Sequence, residues 1–250
     1  MHKVDIQKEV ADRLEFKNEL ITSNNVGKIN NTGPRIGGAY LTGSMNEFAL
    51  RPESQGGLGI VPVVSMIGFQ LEGQYVGTEN FSALVEGIVN VSGLEQGQFI
   101  PSITIMNGFR FGKSGWELAF GPGFSIKKTS QGFFDSDNQF SDNQQYFSEA
   151  DWDAYALREF SDDPIYNTTG TFVAPTPTEL NHSYNFDKRY GDTRGDLALN
   201  TMFVFAVGRT FRAGSLNIPV NVFYSSQKGG GMAGVNVGFN VQKSKRPIHN

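Results

Sequence analysis

Histidine is the first residue type to test, because near neutral pH it supplies general bases, nucleophile partners and metal ligands. The chain has three: His2, His182 and His249. Two stand near chain ends, so no histidine cluster forms a metal centre or a conventional triad. His182 is followed directly by Ser183, and a histidine beside a serine could activate the hydroxyl as a nucleophile. Adjacent in sequence, with no orienting carboxylate assignable, the pair earns no catalytic assignment. Cysteine is absent, which excludes disulfides, thiolate metal sites and thiol nucleophiles and is compatible with an oxidising periplasm. Asp135-Ser-Asp137-Asn138 and Asp151-Trp-Asp153 alternate the oxygen ligands that Ca²⁺ accepts, but neither completes a twelve-residue calcium loop. No metal and no cofactor is expected. A net charge of −4 gives no electrostatic case for nucleic acid.

A second set of charges sits in a periodic setting. Glu72, Glu86, Arg110 and Glu117, with Lys127 and Arg212 nearer segment ends, fall on the small, polar side of segments whose other side is large and apolar. From Trp116, one face carries Trp116, Leu118, Phe120, Pro122, Phe124 and Ile126; the other carries Glu117, Ala119, Gly121, Gly123, Ser125 and Lys127. Period two is the signature of a strand with unlike faces. It recurs at Arg35–Thr42, Val63–Gln74, Ala83–Val91, Ile103–Phe111, Phe203–Phe211, Ile218–Ser225 and Gly234–Val241. Asn107, Arg209 and Phe223 stand on the opposite side from their like.

Those segments make eight candidate strands. Small polar residues on the second face suit the crowded interior of a narrow barrel. The pattern therefore favours a transmembrane barrel, apolar side outward, over a soluble barrel or sandwich. A mean hydropathy of −0.31 is no objection, since membrane strands need only one apolar face. No run approaches the length of a transmembrane helix. The inward charges would line a selective, porin-like pore or form a salt-bridged plug; the plug is favoured because an eight-stranded barrel is filled by its own side chains. The tight links Gly77–Asn80, Gly112–Gly115 and Ala213–Ser215 fall at one end. The long links Gly43–Pro62 and Thr129–Asp196 fall at the other, an asymmetry of outer-membrane barrels that puts both termini in the periplasm.

The link Thr129–Asp196 holds thirteen acids against four basic residues, with thirteen aromatics among them. A connection that long is functional or disordered. Trp152, Tyr155, Phe160 and Tyr166 are its candidates for docking a protein or glycan, and Asp151–Phe160 is a candidate short helix. Residues 1–33 form a separate periplasmic segment, in which Ile6, Val10 and Leu14 could share one helical face. The barrel covers 34–243, and 244–250 are a solvated tail. Met1–Val10 has no apolar h-region, so either the chain is a mature or truncated form without its signal peptide or its place is not the outer membrane.

Residues 108–124, from Gly108 through Trp116 to Phe124, and 234–241 resemble small outer-membrane barrels, particularly those of Bacteroidota, and more broadly the eight-stranded OmpA/OmpX type. The resemblance covers roughly 34–243 and lies in pattern rather than an invariant motif. It implies an all-β, eight-stranded antiparallel up-and-down barrel in a Gram-negative outer membrane. Outer-membrane lipid and lipopolysaccharide would be its neighbours, and its external loops would bind a partner or support the envelope, possibly within a larger complex. One departure is that eleven residues follow Phe239, where such barrels usually end on an aromatic. A soluble carrier of an apolar ligand and a lipid-modifying membrane enzyme are the competing classes.

Overall fold

Successive side chains of a β-strand point to opposite faces, so a strand with one large and one small face belongs in a sheet that closes on its small side. The computed structural model, which describes residues 29–241 apart from 113, 114, 169, 214 and 215, has that arrangement. Outside the described residues lie the candidate helix face Ile6, Val10 and Leu14, His2, His249 and the tail from 242. Turn residues Lys113, Ser114, Gly214 and Ser215 are also outside.

In chain order the strands are β1 Gly33–Gly43, β2 Val63–Gly77, β3 Phe81–Ser92, β4 Ile100–Phe111, β5 Trp116–Phe134, β6 Tyr146–Ser148, β7 Asn167–Thr168, β8 Thr171–Phe172, β9 Arg189–Gly191, β10 Asp196–Ala213, β11 Leu216–Gln227, β12 Gly230–Gly238 and β13 Asn240–Val241. The helices are α1 Ser44–Leu50, α2 Glu149–Phe160 and the single turn α3 Pro177–Leu180. The order β10-β11-β12-β1-β2-β3-β4-β5 closes through a β10–β5 pairing into an eight-stranded ring. Ring neighbours whose registers are resolved run antiparallel. β13 extends β11 at Leu216 and Asn217.

The chain divides into two compact units, one of residues 1–45, 62–126 and 199–250, the other of 46–61 and 127–198. In the first, side-chain direction follows the sequence alternation. Ile36, Ile67, Phe69, Leu71, Val89, Phe203, Phe205 and Val222 face out, with Ile67 and Val89 each 54% exposed. Arg35, Gln70, Glu86, Arg110 and Glu117 face in and are buried. The inner face is less uniformly small and polar than expected: Val64, Met66, Leu84, Ile88, Met106, Met202, Val204 and Phe223 are buried too. Filling a narrow barrel takes volume as well as polarity, and thioethers and branched chains supply it.

Two strand boundaries differ from the sequence expectation. β5 runs on to Phe134 because Thr129–Gln131 pair with β9 and Gly132–Phe134 pair with β6, partners more than ten residues away in the chain. β12 starts at Gly230, leaving a two-residue link, Lys228-Gly229, shorter than the gap between the alternating segments Ile218–Ser225 and Gly234–Val241. Gly229 takes φ +83°, which a tight hairpin turn requires and glycine adopts without a Cβ clash. Gly231 lies in the strand, where a Cβ would sit 2.1 Å from the Ser225 carbonyl oxygen. The tight turns are therefore not confined to one end of the barrel. A two-residue hairpin also lies at the end from which the long connections leave.

The second unit has its own core. Phe133, Phe147, Trp152, Ala156 and Tyr184 are buried, with Phe140, Tyr155, Phe160, Phe172 and Phe186 packed against them. The stretch expected to be a long link is thus largely a folded unit. α2 begins at a capping box, in which the Ser148 hydroxyl accepts from Asp151 N at 3.2 Å and Asp151 Oδ2 accepts from Ser148 N at 3.1 Å.

Candidate functional site

Cross-strand register assembles the charges inside the barrel. Glu72 lies opposite Glu86 on β2 and β3, and Arg110 lies opposite Glu117 on β4 and β5. Arg110 Nη1 and Nη2 donate to Glu72 Oε1 and Oε2 at 3.1 and 2.8 Å, a bidentate pair. Its Nε donates to Glu117 Oε2 at 2.9 Å, and Nη1 also donates to the Ile29 carbonyl at 2.7 Å. The Arg110 side chain is 0% exposed. Residues 29–32 complete this end: Thr32 Oγ1 accepts from Glu72 N at 3.0 Å, and Asn31 Nδ2 donates to Thr210 Oγ1 at 2.9 Å.

Glu72, Glu86, Arg110 and Glu117 are therefore brought together. The three carboxylates place oxygens within 4.8 Å of one another, a spacing a metal ion could use. Arg110 already bonds two of them and supplies the positive charge a cation would bring. Glu86 differs from the other two in that, among the described residues, its Oε1 has no hydrogen-bond partner. Arg35 joins from β1, with Nη1 donating to Asn236 Oδ1 at 2.5 Å. Its position on the inward parity of Arg35–Thr42 was the signal for it in the sequence. A cavity of about 50 Å³ adjoins the cluster through Glu86 and Glu117 and is lined elsewhere by Met66, Met106, Met202 and Phe223. That volume has room for one or two waters at about 30 Å³ each.

In the second unit, three of the four aromatic candidates, Trp152, Tyr155 and Phe160, lie in or against the core, and Tyr166 packs on Phe160. Trp152 is 1% exposed and its indole N–H donates to the Pro175 carbonyl at 2.8 Å. Tyr155 stacks on Trp152 with ring centroids 5.5 Å apart, and Phe160 bridges Tyr155 and Tyr166 at 6.2 and 5.5 Å. Tyr155, Phe160 and Tyr166 are half-buried, so each keeps an accessible edge.

Asp135 and Asp151, the first acids of the two calcium-like runs, have other occupations. Asp135 is buried and accepts from the backbone N–H groups of Gln139, Phe140 and Ser141 at 2.8, 2.7 and 2.7 Å, and from the Tyr184 hydroxyl at 3.1 Å. Burial opposes its ionisation, but these donors outweigh burial and hold its pKa below the usual aspartate value. Asp151, besides capping α2, forms a bidentate pair with Arg194 at 2.9 and 2.7 Å. Arg194 also reaches Asp192, which accepts from Ser130 Oγ at 2.7 Å. Burial again opposes ionisation of Asp192, while Arg194 and Ser130 bring its pKa below the ordinary value. These groups line a pocket of about 250 Å³ with Gln131, Glu149 and Arg189. Nothing in the local sequence pattern marked Asp192 or Arg194, because their partners lie some forty to sixty residues upstream.

Arg51 is a further residue that the sequence did not single out. Its guanidinium lies 4.5 Å from the Tyr146 ring centroid and 5.5 Å from those of Phe48 and Phe134, and it donates to the Gly191 carbonyl. His182 and Ser183 are both exposed, and the Ser183 N–H donates to Asn181 Oδ1 at 3.0 Å. Among the described residues no hydrogen bond joins His182 to Ser183 or to a carboxylate.

No protein-family model matches the chain, and no curated protein matches it. Among solved structures it is similar to Ail, the attachment invasion locus protein of Yersinia pestis, solved in complex with the heparin analogue sucrose octasulfate. The identity is 10%, the match covers 84% of this chain and 96% of Ail, and the TM-score is 0.37. A likeness at that distance carries no argument about function, and the fold rests on the strand pairing itself.

Proposed function

We propose that this chain is a non-enzymatic outer-membrane β-barrel in which the ring of strands is the membrane anchor and residues 127–198 are the partner-binding element. The observation that carries the reading is the inversion of polarity. Ile36, Ile67, Phe69, Val89, Phe203, Phe205 and Val222 are spread round the outer face and exposed, while two arginines and three glutamates occupy the interior. A contiguous apolar surface of that extent is stable against lipid and aggregates in water. The salt-bridged interior supports a plugged barrel rather than a porin-like pore.

A soluble carrier would need the opposite arrangement and a larger chamber. The cavity of about 50 Å³ is far below the roughly 300 Å³ at which small-molecule pockets begin. Outer-membrane lipid and lipopolysaccharide are the proposed neighbours of the outer face. A Bacteroidota-type source rests on the resemblance over 108–124 and 234–241. For residues 127–198, the accessible edges of Tyr155, Phe160 and Tyr166 and an excess of acids favour a protein or glycan partner over a bare phosphate polymer.

Membrane fractionation followed by electrophoresis with and without boiling tests the anchor. Recovery in the outer membrane with a heat-dependent mobility shift is expected; a soluble monomer without detergent would sink the reading. Deleting residues 140–186 should abolish partner capture by intact cells while leaving the mobility shift in place.

A further inference from the structure

The outward row of β4 reads Ile103, Ile105, Asn107, Phe109 and Phe111, so one carboxamide stands in an otherwise apolar column. Its neighbours on all sides are apolar. Ile105 and Phe109 flank it along the strand, Val85 lies opposite on β3, and Phe120 lies opposite on β5. Asn107 is exposed, and among the described residues its side chain has no hydrogen-bond partner. It lies four positions before Phe111 at the strand end, which places it roughly 10 Å into an apolar band about 25 Å tall at ordinary strand rise and tilt. A carboxamide at that depth has no water to bond, and leaving its donors and acceptor unmet in hydrocarbon is unfavourable.

The surface beside it is recessed. Gly73 lies opposite Val85, and Gly87 lies opposite Leu71 and Ile105. A Cβ at either glycine would meet nothing within 4 Å, so open space borders Val85 on that face. Small residues let membrane-embedded surfaces approach closely, and a polar side chain nearby supplies the hydrogen bond that holds them.

Building on the membrane reading above, we propose that the β2–β4 face is a self-association surface on which two copies of this chain pair through reciprocal Asn107 carboxamides. The chemistry selects a second copy over another occupant. A carboxamide carries both donor and acceptor and is complementary to itself, and a two-fold axis beside Asn107 brings each to the other while seating apolar side chains over Gly73 and Gly87. A lipid chain could fill the recess but offers the amide nothing.

The absence of native cysteine makes the test direct. Asn107→Cys and Val235→Cys variants are placed in native membranes and oxidised with copper phenanthroline, each first checked for the heat-dependent mobility shift. Val235 is equally outward but lies on β12, four strands away round the ring. The 107 variant should form disulfide dimers about tenfold or more faster than the 235 variant, since a held pair has a raised effective concentration. Wild type should run as a dimer in lipid nanodiscs, and Asn107→Leu, which suits a lipid-facing position and should fold, as a monomer. A heat-shifting, membrane-inserted chain that is monomeric, with equal cross-linking at both positions, would overturn the pairing and leave the barrel reading intact. A chain that is soluble and lacks the heat shift would overturn both.

Discussion

Arg110 and Glu117 stand directly opposite each other on β4 and β5, and the guanidinium that reaches Glu117 also clasps Glu72, two strands further round the ring. One cation thus ties β2, β4 and β5 together inside the barrel.

Replacing Arg110 with Ala leaves Glu72 and Glu117 buried with no counter-charge. The expected cost is about 3–5 kcal/mol, the range for breaking a buried ion pair from one side. The urea midpoint of the heat-dependent mobility shift, measured in detergent, should fall accordingly. An unchanged midpoint would mean that water reaches the cluster and screens it.

Glu86 should respond in the opposite sense. Its Oε1 lacks a partner among the described residues, and its carboxylate lies within 4.8 Å of those of Glu72 and Glu117. Glu86→Gln keeps the shape and removes a carboxyl whose ionisation the two neighbouring glutamates oppose, so stability should hold or rise by about 1 kcal/mol. Glu117→Gln, which weakens the bond to Arg110, should lower stability. The same midpoint distinguishes the two variants.

Trp152 is the buried centre of the second unit, in contact with Phe133, Phe140, Phe147 and Tyr155. Trp152→Ala should cost about 3–5 kcal/mol through lost burial and the cavity left behind. Limited proteolysis should then cut within 127–198, while the mobility shift of the barrel persists. If the shift disappeared as well, the two units would be folding as one.

Asp135 and Asp192 both have folded-state pKa values below the ordinary aspartate value. A depressed folded pKa contributes stability that is fully present above the unfolded value, about 3.9, and is lost as pH falls through the folded one. Trp152 fluorescence, read in a Trp116→Phe background, should therefore be constant from pH 7 to about 5 and change below about 4. Asp135→Asn should remove much of that acid sensitivity and lower stability at pH 7, because the amide is a weaker acceptor for three N–H groups. Loss of the signal already near pH 6 would contradict this account.

The sequence alone determined the alternation that favours a barrel over a sandwich. Alternation such as Trp116, Leu118, Phe120 against Glu117, Ala119, Gly121 survives folding unchanged, because strand geometry sends neighbouring residues to opposite faces whatever the partner strand. The same parity put Glu72, Glu86, Arg110 and Glu117 on one side. It could not say that Arg110 would choose Glu72 and Glu117 and leave Glu86 with an unmet oxygen, since register and strand stagger fix those distances. Outside the strands only the short helix near Asp151–Phe160 left a pattern to read. Trp152 looked like a surface aromatic until the cluster around Phe133 closed over it, and Asp151 looked like an oxygen ligand until α2 and Arg194 used both its oxygens. Local pattern decides which way a strand residue points; only the tertiary structure decides which distant group it meets, because that meeting depends on contacts between segments far apart in the chain.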